Sequence, residues 1–273
     1  FYAKELTRDG IFECLRKRHH YGTTGTRLHL DVRATLPTGG QLFDEDPKAF
    51  PDTSSESVTE VMMGDIVQTS DDKVTLKVEV SAQNPIERIE IRNGMETLKT
   101  VRGFSKSDLG ERIRVVWSGA EYRGRGRETN WKGRVSFGGA QIRRMEKINA
   151  WNHERKLEQY NGDTVVFDAI TTGNFGGFDA WLAKSDGATL DISTNLGVMT
   201  VPLSDIGMED VTMDAGGLER KIRAFRLPEE NPHRTITTEL EIPLNATGDN
   251  PLWVCVTTED GFQAWSSPIY AFK

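Results

Sequence analysis

The five histidines of this 273-residue chain are the side chains best suited to hold a metal ion or to move a proton. No two of them show the HxH or HExxH spacing of a zinc site, and neither cysteine belongs to a CxxC pair. His19 and His20 are adjacent, and adjacent residues on a helix do not face each other. We therefore expect this pair to form hydrogen bonds or carry charge at a helix end, with the lining of a site as the alternative.

Other residue patterns that support catalysis or ion binding are incomplete. Asp44-Glu45-Asp46 and Glu209-Asp210 offer the hard oxygens that Ca²⁺ prefers, but neither follows the spacing of an EF-hand loop. The sequence has no GxSxG motif for a nucleophilic serine and no GxGxxG motif for a dinucleotide. The glycine-rich stretch 173–177 lacks a following Lys-Ser or Lys-Thr pair, so its composition favours a turn over phosphate binding.

One stretch of the chain is basic although the whole is acidic. The formal charge is −7, yet residues 111–156 hold twelve Lys or Arg against five Glu, a local charge of +7. Its densest part places Arg123, Arg125 and Arg127 between Tyr122 and Trp131, a combination that can contact phosphate or single-stranded nucleic acid. A contact with an acidic neighbour and a plain solvated surface are the alternatives. Because the whole chain is acidic, we predict no nucleic-acid partner.

The aromatic residues divide into two groups. Four tryptophans lie in apolar strand patterns and are predicted to pack in the core: Trp117, Trp181, Trp253 and Trp265. A second group is expected to be exposed: Tyr122, Trp131, Trp151 and Tyr160. Exposed aromatic rings can serve as a platform for sugars, which makes a carbohydrate- or ligand-binding β-sandwich module one hypothesis for the function.

A single helix is indicated, at about residues 7–18. Thr7 is a suitable N-cap residue, and Ile11, Phe12 and Leu15 form one apolar stripe. An apolar stripe on a helix has to pack against another surface, on this chain or on a partner.

The remaining elements are predicted to be strands. Apolar and polar residues alternate over 27–33 and again from Lys73, and Asn93-Gly94 is a strong hairpin signal. Further strands are expected near residues 113–117, 134–137, 164–170, 178–182, 189–192, 198–201, 221–225, 236–242, 253–257 and 263–272. The fold class is therefore mainly β: an enlarged antiparallel, immunoglobulin-like β-sandwich preceded by one N-terminal α-helix, with two small sandwiches as the alternative. Residues 35–60 resemble a loop or insertion, and residues 141–158 could hold a short helix.

Length and composition are those of one large globular domain or two small ones. No apolar run approaches the roughly 18 residues of a membrane span, so we predict no membrane span. Cys14 and Cys255 lie far apart, and either burial as two free thiols or one disulfide is compatible with that spacing. The chain begins at Phe1 without Met or a signal-peptide pattern, which suits a processed product or a piece of a longer protein.

Both ends of the chain carry a family resemblance. The opening contains Tyr2-Ala3-Lys4-Glu5, Thr7-Arg8, Ile11-Phe12, Leu15-Arg16-Lys17-Arg18 and Tyr21-Gly22-Thr23-Thr24-Gly25-Thr26-Arg27-Leu28. The end contains Trp253-Val254-Cys255-Val256-Thr257, Glu259-Asp260-Gly261 and Ala264-Trp265-Ser266-Ser267-Pro268-Ile269-Tyr270. These segments resemble the C-terminal part of a bacterial family of uncharacterised large proteins with a PHP-like domain, named after polymerase and histidinol phosphatase. The resemblance covers most of the chain.

The resemblance implies a division into residues 1–25, the terminal helix and turn of a PHP-like domain, and residues 26–273, a β-sandwich with an inserted loop at about 35–60. PHP domains bind two or three metal ions and hydrolyse phosphoesters. Their metal motifs are absent from this sequence, so we expect no cofactor in this chain and divalent metal ions in the intact protein. His20, Tyr21, Thr23 and Thr24 are the residues that could border the upstream site.

Our leading hypothesis is that the chain is a non-catalytic C-terminal accessory region of a metal-dependent, phosphoesterase-type hydrolase. Its partner would be the upstream PHP-like domain of the same polypeptide, and a homo-oligomer is compatible with the sequence. Arg123, Arg125, Arg127 and Trp131 are the candidate surface contacts. The resemblance favours a periplasmic or secreted location over a cytoplasmic one.

Overall fold

The computed structural model describes residues 1–183 and 187–273, and the chain is mainly β with one helix near its N terminus. In chain order the first elements are α1 (Arg8–Arg16), β1 (Tyr21–Thr23), β2 (Leu28–Phe43), β3 (Ser55–Met62), β4 (Ile66–Gln68), β5 (Lys73–Ala82), β6 (Ile86–Asn93) and β7 (Glu96–Val101). A 3₁₀ turn (Lys106–Asp108) precedes β8 (Arg112–Ala120), β9 (Thr129–Gly138), β10 (Ile142–Ile148), β11 (Leu157–Tyr160), β12 (Thr164–Thr171), β13 (Phe175–Leu182), β14 (Thr189–Thr194) and β15 (Gly197–Pro202). A second 3₁₀ turn (Leu203–Asp205) leads to β16 (Val211–Asp214), β17 (Leu218–Leu227), β18 (Thr235–Pro243), β19 (Asp249–Thr258), β20 (Gln263–Ser266) and β21 (Ile269–Phe272). None of the helices in these two ranges is long and apolar enough to cross a membrane.

The chain folds into two compact units. Unit 1 comprises residues 1–103 and 232–273, and unit 2 comprises residues 104–231. Unit 2 is therefore inserted into the sequence of unit 1. No division between compact units falls near residue 25, because β1 pairs with β20 and so belongs to the sheet of unit 1.

Unit 1 is built on an eleven-stranded sheet. The strands follow the order β1-β20-β19-β21-β4-β2-β5-β18, with β3 beside β2, β6 beside β19, and β7 beside β6. The pairs are antiparallel apart from β4 and β21, which run parallel. Strand β5 buries Val74, Leu76, Val78 and Val80 and leaves the residues between them nearer solvent. These four side chains join residues of β2, β6 and β19 in one apolar cluster, the core of unit 1.

Unit 2 contains two five-stranded antiparallel sheets. One has the order β10-β13-β8-β17-β16, and the other has the order β11-β12-β9-β14-β15. Side chains of both sheets share a single apolar cluster. In it, the ring of Trp117 from β8 stacks on the ring of Phe167 from β12, with centroids 4.4 Å apart. The two sheets of unit 2 therefore pack face to face.

Strand β8 is buried on both faces. One face packs in the apolar cluster between the two sheets, and the other face carries buried charged residues. Arg114 is 1% exposed, and its Nε and Nη2 donate to the two carboxylate oxygens of Asp179 in β13 at 2.7 and 2.8 Å. The Nε of Arg112 donates to the same carboxylate at 3.1 Å. Hydrogen bonds between charged groups in this forked geometry are stronger than neutral ones, which allows these charges to remain buried.

The predicted helix is confirmed, with a slightly earlier end. The Thr7 hydroxyl oxygen accepts a hydrogen bond from the N–H of Gly10 at 3.1 Å, as expected of an N-cap. The helix ends at Arg16, and Arg18 takes a left-handed backbone conformation with φ of 59°. Asn93-Gly94 forms the predicted turn, with Gly94 at a φ of 57° between β6 and β7.

Two segments differ from the sequence-based prediction. Residues 35–60 form most of a hairpin, because β2 continues to Phe43 and β3 begins at Ser55. A register shift between Thr35 and Gly40 accommodates Pro37, which has no N–H to offer a neighbouring strand. The helix suggested within residues 141–158 is wrong, since β10 and β11 occupy that stretch.

The two cysteines, for which the sequence left a disulfide open, are free and buried. Cys14 lies in α1 and Cys255 in β19, both within unit 1.

We predict that Asp179→Ala destabilises unit 2 by about 3–5 kcal/mol, because it leaves two buried guanidinium groups without their shared carboxylate. Urea unfolding followed by tryptophan fluorescence measures this loss. The matched control is Glu146→Ala, which removes a surface carboxylate that pairs with Arg144 on β10; a change of about 0–1 kcal/mol is expected there. Equal effects of the two substitutions would contradict the role given to Asp179.

Candidate functional site

The segment His20–Thr24, predicted to border a site, lies along the edge of the unit 1 sheet. Strand β1 pairs with β20, which joins the two segments of sequence that carry the family resemblance. The Tyr21 hydroxyl donates to the carbonyl of Leu28 at 2.7 Å. The Thr24 hydroxyl oxygen accepts a hydrogen bond from the N–H of Gln263 at 2.9 Å. These contacts fix the segment in place.

His20 has an unused polar atom in this segment. Its buried Nδ1 has no hydrogen-bond partner among the residues that the structure describes. Its ring centroid lies 5.7 Å from that of Phe1. Burial, followed by the positive charges of the N-terminal amine, His19 and Arg18, lowers the pKa of His20. The neutral imidazole can accept a hydrogen bond through this nitrogen. Thr23, on the same edge of the sheet, is exposed.

His19, the other member of the pair, has a structural partner. Its Nε2 lies 2.7 Å from Oδ1 of Asp65, and Oδ2 of Asp65 accepts a hydrogen bond from the N–H of Met62 at 2.7 Å. The Nε of Arg18 donates to the carbonyl of Gly64 at 2.8 Å. The turn between β3 and β4 therefore holds the chain just after α1, in agreement with the predicted hydrogen-bonding role.

Gly64 allows this close approach. Its φ of 102° is in the left-handed region, which side chains rarely adopt. A Cβ at this position would lie 2.5 Å from the carbonyl carbon and oxygen of Arg18. Only glycine fits between the turn and the segment that follows α1.

A cleft of about 190 Å³ lies beside the His19–Asp65 contact, and Tyr2, Cys14 and Lys17 also line it. The pair supplies two of the donors that a metal ion would need, and the second oxygen of Asp65 is already engaged by Met62. Within residues 1–183 and 187–273, no three His, Cys, Asp or Glu side chains are placed to hold a metal ion. The donors present here do not fit a divalent metal centre.

The apolar stripe of α1 is largely uncovered. Phe12 is 51% exposed and Leu15 is 42% exposed, while Leu6, just before the helix, is 93% exposed. Cys14 is the buried residue of the helix. An amphipathic helix in a folded domain normally covers its apolar side, so α1 presents a surface that unit 1 leaves open.

The predicted basic surface lies at one end of unit 2. Arg123, Arg125 and Arg127 belong to the 121–128 connection between β8 and β9, which we call the arginine connection. All three are exposed. The connection closes where the N–H of Glu121 donates to the carbonyl of Arg127 at 3.1 Å. Within the described part of the chain, the three guanidinium groups form no ion pair, which leaves them open to a ligand.

The prediction that Trp131 is a surface contact is wrong. Trp131 is 0% exposed, and its indole N–H donates to the hydroxyl of Thr171 at 2.9 Å. It lies on the inward face of β9 with Val135 and Phe137. The even spacing of these three positions was the signal that could have identified Trp131 as a core residue. Trp117 and Trp181 are buried as predicted.

An unexpected pocket of about 170 Å³ lies at the same end of unit 2 as the arginine connection. Trp151, which is 67% exposed, lines it together with Asn152, Arg155, Asp168 and Asn174. Trp151 was predicted to be an exposed aromatic residue, but no sequence pattern linked Asp168 or Asn174 to that ring. Asp168 lies in β12 and Asn174 in the connection after it, so the fold brings these two residues to Trp151.

We predict that Asp65→Ala loosens the segment before β1, because His19 and the N–H of Met62 lose a shared acceptor. Limited proteolysis read by mass spectrometry should show cleavage within residues 1–20 about ten-fold faster, as expected for a loss of roughly 1–3 kcal/mol. Asp52→Ala removes an exposed carboxylate from the connection between β2 and β3 and serves as the control with unchanged cleavage. Unchanged cleavage of the Asp65 variant would refute the role of the His19–Asp65 contact in holding this segment.

Comparison with known proteins gives one match. Residues 1–132 match the model of a family described as "Protein of unknown function (DUF3604)". The match begins in the N-terminal segment of unit 1 and ends within β9 of unit 2, and over this stretch the chain is similar to that family. No curated protein and no solved structure matches the chain. The family description names no activity, so the relationship to PHP domains stays a prediction.

Proposed function

We propose that this chain is a non-catalytic, β-rich accessory region of a longer, PHP-like, metal-dependent hydrolase of the phosphoesterase type. The observation that carries the proposal is the uncovered apolar side of α1, with Phe12 and Leu15 half exposed. Burial of a Leu or Phe side chain stabilises a contact by about 1.5–3 kcal/mol. Contact with a second surface that covers α1 would therefore be stabilised by the burial of these two side chains.

The upstream PHP-like domain of the same polypeptide is the occupant that we propose for this side of α1. The helix starts at Arg8, so a domain joined to the beginning of this chain would lie next to it. The resemblance of residues 1–25 to the end of a PHP-like domain supports the same occupant. The contact between His19 and Asp65 would then hold the docked helix against unit 1.

Under this proposal, divalent metal ions are bound by the upstream domain, and the residues of this chain position that domain without contributing ligands. The immunoglobulin-like character of the sheets belongs to the same proposal and is supported by the two face-to-face antiparallel sheets of unit 2. The preference for a periplasmic or secreted location is supported by the family resemblance alone.

The test begins with the intact mass and the N-terminal sequence of the protein as its native cell makes it. We expect a chain that extends upstream and contains an HxH motif. Hydrogen exchange of residues 8–16 should then be at least about ten-fold slower in the native protein than in the present chain, because docking buries the helix. A native chain that begins at Phe1, or equal exchange in both proteins, would refute the proposal.

A matched pair of variants isolates the docking surface. We predict that Phe12→Ser combined with Leu15→Ser lowers the stability of the native, longer protein by about 2–3 kcal/mol and leaves the present chain unchanged. Thermal or urea unfolding of both proteins measures this difference. Val198→Ser, at an exposed valine of β15 that is 76% exposed, is the control and should alter neither protein. Concentration-dependent dimers of the present chain that the double variant abolishes would instead assign α1 to a second copy.

A further inference from the structure

The end of unit 2 that carries the arginine connection is assembled from three loops. The 121–128 connection follows β8, residues 149–156 follow β10, and residues 172–174 follow β12. The N–H of Gly173 donates to the carbonyl of Gly119 at 3.1 Å, which ties the third loop to the end of β8. The Nδ2 of Asn149 donates to the carbonyl of Phe175 at 3.1 Å, which ties the second loop to the start of β13. The three loops therefore form one connected surface.

The pocket in this surface has an aromatic wall. Trp151 is 67% exposed and lines a space of about 170 Å³. At the same pocket, Trp117 is held by its stack on Phe167, with rings inclined by only 6°. Pockets for drug-sized ligands are roughly 300–1,000 Å³, so this smaller space suits a single ring or the end of a chain of rings.

Both donors and acceptors of hydrogen bonds lie at the pocket. The carboxylate of Asp168 accepts from Nη1 of Arg155 at 2.6 Å, and the Nζ of Lys132 lies 3.5 Å from its other oxygen. Burial alone would raise the pKa of Asp168, but these two cations outweigh it and lower the pKa, so the carboxylate stays ionised. The Oδ1 of Asn174 accepts from the N–H of Thr172 at 2.8 Å, and Asn152 lies on the opposite loop.

This combination fits a sugar ring. One face of a pyranose is apolar and packs on an aromatic side chain, while its hydroxyl groups need both donors and acceptors. A purely apolar ligand would displace water from Asp168 and Arg155 without offering either group a new hydrogen bond.

The 121–128 connection, which carries the three arginines, adjoins the pocket. A shallow depression lined by residues 124–128 also includes Thr172, and Asn174 of the same turn lines the Trp151 pocket. Guanidinium groups bind carboxylate or sulfate oxygens through paired hydrogen bonds. Glu121 and Glu128 flank the arginines in the same connection, and Asp168 lies in the pocket. These carboxylates would repel a continuous polyphosphate chain, but isolated anionic groups can bind the arginines without contacting them.

We propose that this end of unit 2 binds acidic oligosaccharides, with a sugar ring on Trp151 and its carboxylate or sulfate groups at Arg123, Arg125 and Arg127. The binding site does not depend on the docking of α1, since every residue that forms it belongs to unit 2. It would bring the chain to polysaccharides that carry uronic acid or sulfate groups.

The first experiment applies the full chain to a glycan array that holds uronic-acid, sulfated and neutral oligosaccharides, with single-stranded DNA as a separate probe. We expect acidic glycans to bind, neutral glycans of the same linkage to bind at least about ten-fold more weakly, and the difference to shrink as salt is raised. No binding to any acidic glycan would overturn the proposal, as would preferential binding of the DNA.

Two sets of variants then locate the site by calorimetry with the best acidic glycan. Trp151→Ala should weaken binding about ten-fold or more, as aromatic anchors at binding sites do, whereas Tyr160→Ala, at a tyrosine of β11 that is 59% exposed, should not. The triple variant Arg123→Ala, Arg125→Ala, Arg127→Ala should reduce binding to the level of the neutral glycan.

The charge control for the triple variant is Lys106→Ala, Arg134→Ala, Lys147→Ala, which removes three positive charges from exposed positions elsewhere in unit 2. This control should bind like the original chain. Circular dichroism confirms that each variant is folded. Equal losses in the two triple variants would reduce the effect to net charge and overturn the proposed arginine contacts, and unchanged binding of the Trp151 variant would overturn the sugar pocket.

Discussion

Consecutive side chains of a β-strand point to opposite faces, and each strand of this chain is constrained by which of its two faces can be buried. Strand β5 in unit 1 buries one face, so its sequence alternates between valine or leucine and polar residues. Strand β8 in unit 2 buries both faces, with Val115 on one side and Arg114 on the other. Burial of Arg114 requires a charged partner, which explains why Asp179 lies opposite it in β13.

The sequence was a good guide wherever a local pattern determined the outcome. Thr7 and the stripe behind it predicted α1, and alternating residues predicted most strands. The hairpin over residues 35–60 was missed because Pro37 and its glycine neighbours are typical of loops, and a register shift that accommodates proline is set by the partner strand. The insertion of unit 2 was beyond local patterns, because Ile91 of β6 pairs with Val254 of β19 after a long excursion of the chain.

The candidate sites show the same division between local and distant causes. The hydrogen-bonding role of His19 followed from its place after a helix, but Asp65 as its partner required the turn between β3 and β4 to fold against that segment. Trp131 and Trp151 were both expected at the surface. Trp131 is buried because it lies on the inward face of β9, whereas Trp151 is exposed. Asn152 and Arg155 belong to the same loop as Trp151, but Asp168 comes from β12 and Asn174 from the connection after it, so local spacing did not reveal the pocket.

The insertion of unit 2 has a consequence for biosynthesis. A Cβ on Gly103 would lie 2.5 Å from Cγ of His233, so the two ends of unit 1 that flank the insertion are side by side. On the ribosome, β6 and β7 emerge well before β19, while every strand of unit 2 is already available once residue 231 has been made. Unit 2 can therefore complete its two sheets first, and unit 1 must wait with an unpaired edge at β6. Of the two units, unit 1 is therefore the later to finish folding, although its first seven strands are synthesised before those of unit 2.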